Sequence, residues 1–454
     1  MPRRATATRA RHASHAIRAR ALGALVALAV LGLGARAGAQ PLGRAADTGR
    51  ARAGDPRPAA VPLRCSTERG GCVHLVGDAR TRVDAERATR ALERALAAAE
   101  LLGLPLPPGD GAAGEVGPAG SFDLYLDAAA PRGSARLGPA DPCAATDVAA
   151  PFAIAPTPDA SCRFEHEVTR AVGAAVAVGL DAAQSDVVAD MYGGLFAALV
   201  EPCTGSEIAA VAARAAAPDA GIFGPEPDPA FLSYLADAFG RGDPVGVPTA
   251  LMATAAQRAP SGATRYRDEP DLFDALRASL AVRGKTFDGA LLDFAVARAF
   301  EGSRSDGVHL DDTERFGDFA RVRFDWVVPF ATLPRRLGPR DHLRASGSSY
   351  LWLDVSQAAE HHLQAFFTWD EGRVFRWTLV RVDAEGRELG RLDAPGVYGA
   401  DGVHLSMADF QGAAGILVVG VHVGSDDRSA PLDPDDPVEP GAAYLVTLYE
   451  HDEK

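Results

Sequence analysis

Lysine is nearly missing from this 454-residue sequence: Lys285 and Lys454 are the only two, so almost all of the 46 basic residues are arginine. That bias reads as genome composition and assigns no chemistry. Other absences exclude whole mechanisms. No Gly-x-Ser-x-Gly elbow and no Gly-x-x-x-x-Gly-Lys-Ser/Thr loop occurs, which removes the usual hydrolase nucleophile and the phosphate-cradling loop. No Cys-x-x-Cys pair occurs either, so a cysteine zinc ribbon is excluded. There is no solenoid-type repeat. Positive charge is in deficit, with 46 basic against 60 acidic residues and a net charge of −14. A chain this acidic is repelled by phosphate backbones and anionic lipid, so nucleic acid and membrane surfaces are not expected partners.

The first segment is the exception to that charge balance. Seven arginines and no acidic residue precede Gln40, and the uncharged run Ala21 to Gly34 follows the sixth arginine. The segment closes on Ala37-Gly38-Ala39, the small residues that signal peptidase requires. A membrane span needs roughly 20 apolar residues, which this run lacks. Residues 1–39 are therefore expected to be a cleaved signal peptide. The mature chain, without a membrane span, would be exported to the periplasm or the medium. Losing the seven arginines moves the net charge from −14 to −21.

Five cysteines in an exported chain imply disulfides. Cys65 and Cys72 bracket a short Gly-containing turn. Cys143 and Cys162 flank a Pro-rich loop and are the next candidate pair, which leaves Cys203 over.

Composition divides the rest. Residues 40–62 mix Ala, Arg, Gly and Pro without apolar periodicity and read as a disordered linker. Residues 63–316 are expected to be mainly helical. Asp84 is placed to cap a helix whose stripe is Ala85, Ala88, Leu92, Leu96 and Ala99. Phe122, Leu124 and Leu126 alternate with Asp123, Tyr125 and Asp127, the pattern of a half-buried strand. Helices at about 163–180 and 184–200 follow. Residues 317–454 carry regularly spaced alternating strands separated by Gly-bearing turns, the pattern of a β-sandwich. The expected fold class is thus α+β.

One segment of the helix at 163–180 has the residues of a metal centre: Glu165-His166-Glu167-Val168-Thr169-Arg170. A zincin helix places two histidines four residues apart, and a glutamate beside the first polarises the metal-bound water. His166 and Glu167 fit the first two roles. Arg170 occupies the second histidine's place, and a guanidinium offers no lone pair to a cation. Gly193 and Gly194 lie within the next helix, near Asp190 and Asp186, and suggest close approach to a neighbouring backbone.

The order of features around this segment is helix, Asp123-x-Tyr125-Leu126 strand, His-Glu helix, Gly179-Leu180-Asp181 break, acidic helix and late sandwich. In that order residues 80–454 resemble secreted bacterial zinc metallopeptidases of the gluzincin type, which pair a helical peptidase domain with a C-terminal β-sandwich. The resemblance implies a zincin-like domain with His166 as first zinc ligand, Glu167 as general base and Asp190 standing in for the glutamate ligand. It also implies that Arg170 blocks the site, forming a salt-bridged cluster with Glu167 and Asp190. The corresponding function is an exported, catalytically inactive binding protein for a protein or peptide partner, needing no cofactor. Two alternatives stay open: a zinc-dependent peptidase with a non-standard site, and a surface or adhesion protein that uses its sandwich. His361 and His362 should point to opposite faces of a strand. His404 and His422 read as surface or core residues, and Asp433, Asp435 and Asp436 as a solvated loop.

Overall fold

The computed structural model describes residues 57–451 apart from 67, 78–83, 110–119, 139–146, 225, 241, 257–265, 267–269, 311, 359–360, 397, 409 and 427–440. The expected signal peptide, most of the expected linker, Cys143 and the aspartates at 433–436 lie outside the described residues. The chain separates into two compact units that interleave in sequence. One comprises residues up to 160, 167–200 and 232–279; the other comprises 161–166, 201–231 and 280–454. Neither follows the expected boundary at 316.

The first unit is organised by a mixed five-stranded sheet, in the order β1-β2-β3-β5-β4. Its strands are β1 (Ala60–Cys65), β2 (Gly71–Val76), β3 (Phe122–Leu126), β4 (Ser134–Leu137) and β5 (Pro151–Ala155). The pairs β2–β3 and β3–β5 are parallel, and both edges are antiparallel. Parallel neighbours need a crossover, and α1 (Ala85–Leu101) supplies the one between β2 and β3. Asp84 caps this helix by accepting from the Arg87 N–H at 2.9 Å. Its buried stripe includes Ala88, Leu92, Leu96 and Ala99, and Leu92 fills the space over Gly71 of β2. All five residues of β3 are buried, so the strand is not half-exposed as its alternation implies. Neighbouring strands cover only its edges, and packed side chains bury its faces: Asp123 lies against His74, and Tyr125 against the rings of His74 and Phe152. Strand β1 begins at Ala60, so the segment expected to be linker is already in the sheet before residue 62.

Two helices follow: α2 (Arg163–Leu180) and α3 (Asp186–Val200). A Cβ on Gly193 would lie 2.6 Å from the Arg170 carbonyl oxygen, and one on Gly173 2.6 Å from the Phe196 Cβ. Only glycine allows the two backbones to come this near. After them come α4 (Thr204–Ala216), α5 (Ala230–Phe239), α6 (Gly246–Ala255), α7 (Leu272–Val282) and α8 (Phe287–Ala299).

The expectation of a mainly helical zincin-like domain is corrected here. The fold is α+β, but the early block is built on a mixed sheet, and no zincin domain is shown. Buried along almost their whole length, the short strands β2, β3 and β5 give weak period-two signals, whereas the long helices dominate the pattern.

The second unit holds two sheets. One has the order β11-β10-β13-β8-β6 and the other β12-β9-β14-β7. The strands are β6 (Trp326–Pro329), β7 (Arg335–Leu337), β8 (Ser348–Asp354), β9 (His362–Trp369), β10 (Arg373–Val382), β11 (Glu388–Asp393), β12 (Gly402–Met407), β13 (Gly415–Ser425) and β14 (Tyr444–His451). Strand β9 shows strict alternation of buried and outward residues, whereas β13 is buried along almost its whole length. A core of Leu351, Phe367, Phe375, Trp377, Val418 and Val446 joins the two sheets. The Phe367 and Trp377 rings stack with centroids 4.4 Å apart. The turn at Asp370–Gly372, with Gly372 at φ 74°, carries the chain from one sheet to the other.

A charged cluster is buried within this unit. Asp228 accepts from Arg214 Nε at 2.9 Å and lies 3.5 Å from Arg298 Nε, while Arg298 donates to the Arg214 carbonyl. Burial pushes the nearby Glu301 carboxyl well above the ordinary glutamate range, and the Arg298 charge only partly offsets this. A carboxyl whose pKa is higher folded than unfolded supports the fold below its unfolded value of about 4.3 and opposes it as pH rises toward the folded value. Glu301→Gln should therefore lose less thermal stability than the parent chain between about pH 5 and 8, by on the order of 1 kcal/mol. Parallel melting curves across that range check this, and equal slopes would refute it.

Candidate functional site

Helix α2 places His166, Glu167 and Arg170 within its first two turns, as their spacing requires. His166 and Glu167 are both buried. His166 Nδ1 lies 2.9 Å from the Glu201 carbonyl oxygen. A carbonyl only accepts, so Nδ1 carries the proton in this contact. Glu167 Oε2 accepts from the Gly133 N–H at 2.7 Å, just ahead of β4. That loop crosses α2 so closely that a Cβ on Gly133 would lie 1.9 Å from the Glu167 carbonyl oxygen.

Asp190 comes from α3 and is held by two guanidinium groups. Arg170 donates to its Oδ1 from Nε at 3.2 Å and from Nη2 at 2.6 Å. Arg132 Nη2 lies 2.6 Å from its Oδ2. With side-chain exposures of 14% for Arg170 and 11% for Asp190, this pair is shielded enough for removal of one partner to matter. Asp186, one turn earlier, makes an exposed pair with Arg136 at 3.3 Å, a contact worth little.

The structure thus brings Arg170 to Asp190, and the glycine contact at Gly193 accounts for their nearness. The bond of Glu167 is to Gly133, and its expected salt bridge with Arg170 is not among the contacts found. What the arrangement does chemically is neutralise and orient. Asp190 has both oxygens committed to arginines, and Glu167 has one committed to a backbone N–H.

The disulfides sharpen this picture. Cys65 bonds Cys72 as expected, but Cys162 bonds Cys203. The second pairing corrects the expected Cys143–Cys162 bridge. Helices α2 and α3 run antiparallel, so the residue before α2 meets the one that caps α4 just after α3. Pairing by nearness in sequence misses a partner that the helical hairpin brings back. Disulfides persist in oxidising compartments, so two of them are consistent with export. No helix among the described residues is long and apolar enough to cross a membrane.

Sequence reasoning placed other groups with mixed success. His361 pairs with Glu450 at the surface, and His404 stacks on Phe366 with ring centroids 4.3 Å apart. His422 is fully buried; desolvation pushes its imidazole down to about 4, while Nδ1 contacts the Leu343 carbonyl oxygen at 2.9 Å. The buried pair of His74 Nε2 and Asp123 Oδ1, 2.9 Å apart, was missed. The Cys72-x-His74 spacing marks two side chains on one strand face, but only the β2–β3 register brings Asp123 beside them.

No family model matches the chain, and no curated protein matches it. Similar solved structures are β-sandwich-like domains that align with about a quarter of it. The pre-peptidase C-terminal domain of a collagenase from Bacillus anthracis is 7% identical, covering 28% of this chain and 96% of that one, with a TM-score of 0.17. A xylan-binding domain from Paenibacillus barcinonensis is 12% identical over 25% of this chain and 71% of that one, also at 0.17. A periplasmic inhibitor of g-type lysozyme from Aeromonas hydrophila is 13% identical over 28% of this chain and all of that one, again at 0.17. Likenesses of this size assign the chain no family, and no family model or curated protein supports the gluzincin resemblance.

Gly133→Ala should force the loop away from α2 and destabilise the chain by about 1–3 kcal/mol, the usual cost of overpacking. Arg170→Ala, which leaves Asp190 with Arg132 alone, should cost about 1–3 kcal/mol as a lost charged hydrogen bond. Urea denaturation measures both, and a change below about 0.5 kcal/mol, the range of ordinary surface substitutions, would contradict the geometry.

Proposed function

We propose that this is an exported protein that acts by binding a protein or peptide partner and does not hydrolyse peptides. The observation that carries the reading is the commitment of both Asp190 oxygens to Arg170 and Arg132. A zinc ion at Asp190 would have to displace a guanidinium and then sit beside a fixed positive charge. Glu167, which would have to activate water, has one oxygen bonded to the Gly133 backbone. Purified with its disulfides intact, the protein should hydrolyse neither casein nor gelatin, and Glu167→Gln should change nothing. Proteolysis that disappears in Glu167→Gln would overturn the reading and favour a zinc peptidase with a non-standard site.

A second observation bears on where binding occurs. On the outer face of β12-β9-β14-β7, Phe366 and Tyr449 are each 41% exposed, with ring centroids 5.8 Å apart, and His404 stacks on Phe366. Exposed aromatic rings held on a rigid sheet offer apolar contact area with little entropy to lose. The double variant Phe366→Ala/Tyr449→Ala should lose at least tenfold in affinity for any ligand that the full chain selects from peptide and glycan arrays. Unchanged affinity would move the binding surface away from the sandwich.

A further inference from the structure

We infer that the first unit contains a metal site gated by the Cys65–Cys72 disulfide, composed of Cys72, His74 and Asp123. Cys72 and His74 are two residues apart on β2 and so share a face of the sheet. Asp123 on β3 is paired with Cys72, and Tyr125, paired with His74, stacks on its ring with centroids 4.9 Å apart. One donor atom from each of the three residues lies within 4.8 Å of the others, and all three residues are buried.

These donors fit a borderline-soft divalent ion. Thiolate, neutral imidazole and carboxylate are the ligand types that zinc accepts, and three of them leave a fourth position open. The His74 nitrogen on the Asp123 side is Nε2, 2.9 Å from Oδ1, while Nδ1 is buried without a protein partner. Arg57 Nη1 lies 3.9 Å from Asp123 Oδ2 in a buried ion pair, which a bound cation would have to displace.

While Cys72 is oxidised, its sulfur has no negative charge and the ligand set is incomplete. A dithiol reductant completes it. Cys65 is partly exposed and Cys72 is not, so a reductant thiolate attacks the Cys65 sulfur. A mixed disulfide forms at Cys65, the Cys65–Cys72 bond breaks, and its electron pair leaves on Cys72 as thiolate. The second thiol of the reductant then displaces Cys65, which takes up a proton. The reductant ends as its own disulfide, two electrons having passed to the protein. Cys72 thiolate, His74 and Asp123 can now bind one divalent ion.

The test uses the full chain with Co²⁺ and Zn²⁺ as probes and a phosphine, which is not a thiol ligand, as reductant. With both disulfides closed, Co²⁺ should give no near-ultraviolet sulfur-to-metal band. After reduction the band should appear at about one ion per chain and be bleached by Zn²⁺. Cys65→Ser should bind the ion without any reductant. Cys72→Ser should give no band under either condition, which separates this site from Cys143, Cys162 and Cys203. His74→Ala and Asp123→Asn should each weaken binding at least tenfold. If Cys65→Ser fails to fold by circular dichroism, the reduced parent compared with reduced Cys72→Ser decides. Equal metal binding by reduced parent and reduced Cys72→Ser, or none by either, would overturn the site.

Discussion

The close contact of α2 with α3 is the constraint on which the candidate site depends. Because Gly193 has no side chain, the second helix can lie against the Arg170 carbonyl, and the two helices run past each other with little between them. That nearness brings the Arg170 guanidinium to Asp190, one turn before Gly193. A larger residue at 193 would disturb an ion pair along with the helical packing. Arg132 and Gly133 then approach from the loop before β4, so that the sheet contributes to the same cluster.

Much of this was written in local pattern. The stripe of α1 and its Asp84 cap could be read directly, as could β9 with its strict alternation, because each depends on neighbours three or four residues away or two. The glycines of α3 announced close packing. The first sheet was hidden for a physical reason: β2 and β3 are covered on both faces, so their side chains do not sort by polarity and resemble any short apolar run. The site was legible in its residue types and illegible in its partners. The meeting of Arg170 with Asp190 was implied by the resemblance alone, because periodicity within each helix does not say which residues of two helices touch. Gly133 and Arg132 lie more than thirty residues from the groups they engage, and no local rule reaches that far. The resemblance to zinc peptidases supplied an order of helices, but no matching family supports it and the mixed sheet was absent from that expectation.

Arginine appears in this structure chiefly as a partner for buried or half-buried carboxylates. Asp190 has two arginines and Asp228 has two, while Glu207 receives Arg315. A chain with two lysines relies on a cation that stays protonated when desolvated and that presents several donors in one plane. The near absence of lysine therefore has structural meaning even if genome composition caused it. Replacing these arginines by lysine would leave the carboxylates with single-point contacts and a cation more easily discharged by burial.

Strand order gives the sandwich a particular relation to its own synthesis. In the four-stranded sheet, β14 lies between β9 and β7, although it is the latest of the described strands. Until its residues are available, β9 and β7 have no common neighbour and the sheet stays divided. Chains fold as they emerge, earlier segments first, so this half of the molecule must wait. A chain that lacks β14 would therefore leave β9 and β7 unjoined and the four-stranded sheet open.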